Sequence, residues 1–147
     1  MKDIIDAIAA KHQQQGITVN PPATTAEIAA FERTVGFVLP EDFSRLYTTC
    51  NGFECEEDLF NLSALADIME YGRNDQPCSF IFAEYMINSD QWAMRLLNDG
   101  TYEIFNYSKP ELVLTTDLEV FLHRFLLGNV FETDGLYDWQ EQLKQRN

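Results

Sequence analysis

The chain has 147 residues, of which 24 are acidic and 10 are basic, so its formal net charge at pH 7 is −14. This length suits one domain, and a hydrophobic fraction of 46% is ordinary for a folded globular protein. Excess negative charge disfavours binding to nucleic-acid phosphates and to anionic lipid, and it favours basic partners. Neither nucleic acid nor a membrane is therefore expected as a partner.

The N-terminus and the cysteines indicate the compartment. The first residues are amphipathic rather than a secretion signal, and no apolar run reaches the roughly 18 residues that a membrane span requires. Cys50, Cys55 and Cys78 are an odd number without the spacing of a disulfide framework. Such cysteine usage is typical of a reducing compartment, so we expect a cytoplasmic protein.

The first third of the chain predicts three helices from apolar spacing and end signals. The first covers residues 3–15. The second opens at the capping box Thr24-Thr25-Ala26-Glu27 and stops at Gly36, as a C-cap glycine would. Pro40 is expected as the first residue of the third helix, which ends at Asn51-Gly52.

The middle of the chain predicts antiparallel strands. Runs of aromatic and aliphatic residues at 80–85, 92–97 and 102–107 alternate as strands do, and residues 112–115 predict a fourth. Asn98-Asp99-Gly100 has the composition of a tight hairpin turn. Shorter elements are predicted before these runs, a strand at 60–62 and a helix at 64–70.

Helical spacing returns at Thr116-Asp117-Leu118-Glu119, which predicts a second capping box. An apolar stripe follows up to residue 126, and a last helix is predicted over residues 136–145. The order of elements predicts a single α+β domain over residues 1–147. Its central sheet is expected to be antiparallel-rich, with about four to six strands flanked by N-terminal and C-terminal helices.

No catalytic, cofactor or metal site is predicted. The seven glycines are too widely spaced for a phosphate-binding loop. His12 and His123 lie far apart, and Cys50 and Cys55 lack the spacing of metal ligands. His123 falls on the polar side of its helix, which favours a surface position. A small hydrolase with one carboxylic acid in an apolar pocket is the alternative that the sequence leaves open.

The acidic residues are concentrated in two stretches without a base, between Arg45 and Arg73 and between Arg124 and Lys144. Such stretches are either solvated faces or a surface for a basic partner. The candidate contact residues are Glu54, Glu56, Glu57, Asp58, Glu132, Asp134, Tyr137 and Asp138. Nearby aromatic residues are either anchors of that surface or core residues, and helical spacing favours the core for Trp139; they are Phe53, Phe60, Tyr71, Tyr137 and Trp139.

The segment from Thr24 to Gly52 resembles the opening of the SUKH superfamily. Its most recognisable part is Leu39-Pro40-x-Asp42-Phe43, followed by Asn51-Gly52. Further similarity lies in Leu59-Phe60-x-Leu62, Asp99-Gly100-x-Tyr102 and Leu118-Glu119-x-Phe121-Leu122, so that the resemblance spans residues 24–127. The glycine- and aspartate-rich stretch common between central strands of the family is replaced here by residues 87–92.

The resemblance implies an α+β domain that binds other proteins and is not an enzyme. Bacterial members of the superfamily are commonly immunity proteins that neutralise a cognate toxin, often a nuclease, and yeast members regulate cell-wall glucan synthesis. We therefore expect an immunity protein that masks a basic toxin domain through an acidic surface. The alternative is an intracellular regulatory or scaffold adaptor with several endogenous partners.

Overall fold

The structure, a computed structural model, describes residues 1–74 and 76–146. Within these ranges six helices accompany one sheet of seven strands, and none of the helices is long and apolar enough to cross a membrane. The helices are α1 (Lys2–His12, continued by a 3-10 turn at Gln13–Gln15), α2 (Thr25–Val35), α3 (Glu41–Thr49), α4 (Leu65–Tyr71), α5 (Leu118–Gly128) and α6 (Leu136–Arg146). The strands are β1 (Ile17–Val19), β2 (Phe53–Cys55), β3 (Phe60–Leu62), β4 (Ser79–Tyr85), β5 (Asp90–Leu96), β6 (Tyr102–Asn106) and β7 (Val113–Thr115).

The sheet is a meander in which each strand pairs antiparallel with the next, in the order β1 to β7. The predicted α+β class with an antiparallel sheet is confirmed, but the expected four to six strands are too few. β1 and β2, with three residues each, were not predicted, although the equally short β3 and β7 were.

Of three predicted helix starts, the one at α2 is confirmed, and those at α5 and α3 need correction. At α2 the capping box is confirmed, because Thr24 accepts a hydrogen bond from the Glu27 backbone and Glu27 accepts one from the Thr24 backbone. The second box is wrong: α5 begins one residue later than it requires, so Asp117 is the N-cap and accepts from the Glu119 backbone. Pro40 likewise lies just before α3, as its N-cap, rather than inside the helix.

Aromatic side chains on one face of the sheet form the core with the helices. Phe43 of α3 meets Phe80, Phe82 and Tyr102 edge-on, with ring centroids 5.3–5.7 Å apart. Edge-to-face pairs of this kind stabilise a core beyond the area that they bury. These contacts pack α3 against the strands β4 and β6 of the sheet.

The motif residues around α3 are occupied by structural contacts. The Tyr102 hydroxyl donates to Oδ2 of Asp42 at 2.6 Å and accepts from the buried Leu118 backbone N–H at 2.7 Å. Burial and the Asp42 carboxylate raise the pKa of Tyr102, so the hydroxyl keeps its proton for that bond. Asp42 thus joins α3, β6 and the start of α5.

Asn51-Gly52 joins the end of α3 to the start of α4. Oδ1 of Asn51 accepts from the Leu65 backbone N–H at 2.9 Å, which satisfies one free donor of the α4 N-terminus. Gly52 has φ +82°, and a Cβ atom there would lie 2.3 Å from the Leu62 carbonyl oxygen. Any other residue at position 52 would therefore force the chain apart.

Candidate interaction surface

Three connections meet at one end of the sheet, which we call the apical end. They are the β2–β3 turn (residues 56–59), the β4–β5 turn (86–89) and the α5–α6 connection (129–135). The Met86 N–H donates to the Leu59 carbonyl oxygen at 2.8 Å, which joins the two turns. The ring of Phe131 lies 5.0 Å from that of Tyr85, at the end of β4, and this contact adds the third connection.

The apical end brings together most of the acidic residues that the sequence marks as candidates. Glu56, Glu57 and Asp58 lie in the β2–β3 turn, and Glu132 and Asp134 lie in the α5–α6 connection. In an antiparallel meander, every second turn lies at the same end of the sheet. The β2–β3 turn, which carries Glu56, Glu57 and Asp58, therefore lies beside the β4–β5 turn. Acidic groups that are distant in sequence thus share one end of the molecule.

Some of these carboxylates also hold the local structure. Glu132 accepts from the Asn129 side-chain amide at 2.7 Å. Asp138, in the first turn of α6, accepts from the Asp134 backbone N–H at 2.8 Å. Glu57 is exposed and makes no hydrogen bond or ion pair to any residue in the described ranges. Glu57 is therefore free to contact a partner.

Asp58 lies beside His12, a histidine whose burial the sequence did not indicate. His12 is fully buried at the end of α1, and its Nδ1 lies 3.2 Å from Oδ2 of Asp58, at an angle unlike that of a hydrogen bond. The His12 ring stacks on Phe125 with centroids 5.3 Å apart. The missed signal was spacing, because Ile5, Ile8 and His12 follow the i, i+3, i+7 pattern of a buried face.

Tyr137 is half-buried and anchors α6 to the sheet. Its hydroxyl donates to Oδ2 of Asp90, which also accepts from the Asn106 side-chain amide at 3.0 Å. Burial and the Asp90 carboxylate raise the pKa of Tyr137, so the phenol stays protonated. The edge of the Tyr137 ring still borders the apical end, with its centroid 5.0 Å from that of Phe131.

Most of the aromatic residues proposed as surface anchors belong to the core. Phe53, Phe60 and Trp139 are buried, the first two because alternate strand positions face the helices. The exposed apolar groups at the apical end are others, which the sequence did not indicate: Leu59 (49% exposed), Met86 (50%), Ile87 (88%) and Phe131 (63%).

Glu54 lies apart from the other candidates, in a cleft on the sheet face opposite the core. The cleft has a volume of about 340 Å³. Glu54, Asn61, Glu84 and Gln91 form one row across four strands, and Asn61 donates to Glu84 at 2.9 Å. Asp67 and the exposed Tyr71 border the cleft on the α4 side, and it reaches the apical end at Ile87 and Asn88.

The cysteines and histidines form no recognisable chemical centre in the part of the chain that the structure describes. All three cysteines are unpaired, and Cys50 and Cys55 are buried. Burial raises the pKa of both thiols, to about 12 for Cys55, and so disfavours their nucleophilic thiolate form. Over residues 1–74 and 76–146, no three His, Cys, Asp or Glu side chains gather as metal ligands would.

Comparison with known families identifies the scaffold. The model of the SMI1 / KNR4 family (SUKH-1) matches residues 22–124. The chain belongs to the SUKH-1 family. The predicted SUKH resemblance is thereby confirmed, and the family includes immunity proteins and cell-wall regulators. A comparison with curated proteins gives no match.

The boundary of the SUKH-1 match divides the apical end. The β2–β3 and β4–β5 turns lie inside the matched residues, whereas the α5–α6 connection and α6 lie beyond residue 124. Phe131, Glu132 and Asp134 therefore lie outside the residues that match the family model.

Proposed function

We propose that this SUKH-1 protein is a non-enzymatic binding domain, a bacterial immunity protein that acts in the cytoplasm and masks a basic toxin. The observation that carries the proposal is the convergence of two acidic stretches at the apical end. Membership of a family that includes immunity proteins supports it. The proposed contact residues are Glu56, Glu57, Asp58, Glu132, Asp134, Tyr137 and Asp138, with Glu54 in the adjoining cleft.

The mechanism is electrostatic attraction followed by occlusion. A toxin that acts on nucleic acid needs a basic surface, because its substrate is a polyanion. Carboxylates at the exposed end of this domain attract such a surface and orient it before contact, which raises the association rate. Once docked, the domain covers the surface that the toxin uses to hold its substrate.

The non-enzymatic part of the proposal is supported by the state of the reactive side chains. The thiols of Cys50 and Cys55 are buried and resist ionisation. His12 is buried against Phe125 and Asp58, where no substrate reaches it. Asp90 and Asp42 accept hydrogen bonds from tyrosine hydroxyls and serve as structural acceptors.

The experiment first searches the genes beside this chain's gene for one that encodes a basic toxin domain, and then co-expresses that domain with the chain. We expect the wild-type chain to restore growth and to co-purify with the toxin at equal stoichiometry. The double variant Glu57→Lys, Glu132→Lys should bind at least tenfold more weakly. The matched control is Glu41→Lys, Glu70→Lys, which reverses two exposed charges outside the apical end, and it should bind as the wild type does.

Thermal unfolding of both double variants establishes that they fold before binding is compared. A chain that neither binds the adjacent toxin nor protects against it contradicts the immunity function. Stable association with several endogenous proteins instead would assign the chain to the adaptor class. If both double variants lost the same affinity for the toxin, the net charge of the chain, rather than the apical end, would account for the attraction.

A further inference from the structure

Four exposed apolar residues, which we call the apical patch, are gathered at the apical end: Leu59, Met86, Ile87 and Phe131. Leu59 and Met86 are joined by a backbone hydrogen bond of 2.8 Å, and Tyr85 carries the contact on to Phe131. Ile87 follows Met86 at the tip of the β4–β5 turn. Exposed apolar groups that are concentrated at one end of a domain mark a candidate binding place for another molecule.

The turn that presents this patch has an unfavourable backbone. Met86, Ile87 and Asn88 have φ values of +55°, +52° and +64°, in the left-handed region. Asparagine tolerates that region, but a β-branched isoleucine adopts it only under steric strain. Ile87 is 88% exposed, so burial within this chain gives little in return.

The turn is nevertheless held in this form by its neighbours. The Ser89 hydroxyl donates to the Met86 carbonyl oxygen at 2.9 Å, and the Gln91 amide donates to the Asn88 side chain at 3.2 Å. Together with the bond from Met86 to Leu59, these contacts fix Ile87 at the surface. A strained residue kept in place by surrounding structure is a common feature of binding sites.

Charge decides which partner suits the patch. Carboxylates border it on two sides, with Glu56, Glu57 and Asp58 beside Leu59, and Glu132 and Asp134 beside Phe131. A second copy of this chain would place these like charges opposite one another, and their repulsion disfavours that pairing. A partner segment with basic residues around an apolar centre would match both features.

We propose that the apical patch of Leu59, Met86, Ile87 and Phe131 is the anchor of a protein interface. Its occupant is a partner segment with an apolar or aromatic side chain flanked by lysine or arginine. This inference deepens the proposed function and rests on it for the biological partner. Apolar anchors inside a polar rim carry most of the binding energy of such interfaces, whereas rim charges mainly set the association rate.

The test uses a peptide probe and therefore does not depend on the toxin. The probe carries a central Leu-Trp-Leu with two lysines on each side, and the comparison peptide replaces Leu-Trp-Leu by three serines. Two-dimensional NMR titration should show shifts at residues 59, 86, 87 and 131 with the first peptide. The serine peptide should bind at least fivefold more weakly.

Variants of the chain separate anchoring from general stickiness. Phe131→Ser and Ile87→Ser should each weaken binding of the first peptide at least threefold. The matched control Val38→Ser removes an apolar side chain that is 75% exposed in the link between α2 and α3, and it should change nothing. The NMR spectrum of each variant shows whether the fold is retained.

Several results would overturn the inference. These are equal binding of both peptides, shifts outside the apical end, no binding at millimolar peptide, or a dimer of the chain that Phe131→Ser dissociates. Failure of the immunity function gives a different result, because the peptide would still bind while the adjacent toxin would not. Conversely, if Phe131→Ser and Ile87→Ser left toxin binding unchanged, the apical patch would not be the anchor. The proposed immunity function would still be supported.

Discussion

The motif segment between Leu39 and Gly52 and the apical end use polar and apolar side chains in opposite ways. In the motif segment, Asp42 and Asn51 satisfy donors within the chain, and Phe43 is buried. At the apical end, Glu57 is unpaired within the described ranges, and Ile87 and Phe131 remain exposed. The motif residues of the family thus hold the fold together, whereas the residues that we propose for partner recognition make few contacts within the chain.

This contrast predicts that stability and binding respond to different substitutions. Removing a motif side chain leaves a cavity or an unsatisfied buried group. Removing an exposed apical side chain should leave the fold intact, and it reduces only the apolar surface that the chain offers to a partner. The predictions below run from the largest expected change in the free energy of unfolding to the smallest.

Phe43→Ala should have the largest effect. The ring is fully buried among Phe80, Phe82 and Tyr102, so its loss leaves a cavity in the middle of the core. We expect a loss of about 3–5 kcal/mol in the free energy of unfolding, measured by urea denaturation. A loss below about 1 kcal/mol would contradict the packing described here, and Val38→Ala provides the exposed control.

Tyr102→Phe should cost about 1–3 kcal/mol, because it leaves the Leu118 backbone N–H buried without its acceptor. Asp42 also loses the hydroxyl that donates to it. Urea denaturation again provides the measurement, with Tyr71→Phe on the exposed side of α4 as the control. Equal stability of Tyr102→Phe and the wild type would show that the hydroxyl does not join α3 to α5.

Phe131→Ser should change the free energy of unfolding by no more than about 0.5 kcal/mol, because its ring is 63% exposed. The same variant should raise the dissociation rate from a bound partner and leave the association rate unchanged. Stopped-flow and surface-based kinetics separate the two rates. If Phe131→Ser destabilised the chain as much as Tyr102→Phe, the division between the two regions would fail.

The cysteines offer a test without any substitution. At neutral pH Cys78 should react with a thiol reagent first, because it is exposed. Cys50 and Cys55 should react only after unfolding, because both are buried and because the pKa of Cys55, raised to about 12, keeps its thiol protonated at moderately alkaline pH. Mass spectrometry of the alkylated protein with and without urea measures the difference. Fast labelling of Cys55 in the folded protein would show that the β2 strand opens.

Sequence patterns anticipated the elements that carry their own signals. The Thr24 capping box, the Gly36 stop and the strand alternation around Trp92 were readable because each depends on residues within a few positions. The strand β1 was missed because its pairing partner, β2, is distant in the sequence. The register of Ile17 with Cys55, for example, is a tertiary contact.

The candidate surface was only partly readable for the same reason. The acidic stretches were visible in sequence, but their meeting at one end of the sheet depends on the meander and on the contact between Phe131 and Tyr85. The exposure of Ile87 follows from the turn geometry, which no local pattern indicated. Phe53 and Phe60 were ambiguous until the sheet gave them a buried side.

The central claim is that the carboxylates of the apical end attract a basic partner. The most direct measurement is the association rate of this chain with the toxin domain encoded beside its gene, at about 50 mM and about 500 mM salt. The distance over which exposed charges act on one another, the Debye length, is about 10 Å at 0.1 M salt and becomes shorter at higher concentration. We predict that the rate falls at least tenfold for the wild type and much less for the Glu57→Lys, Glu132→Lys variant. An association rate that is the same at both salt concentrations would contradict the claim.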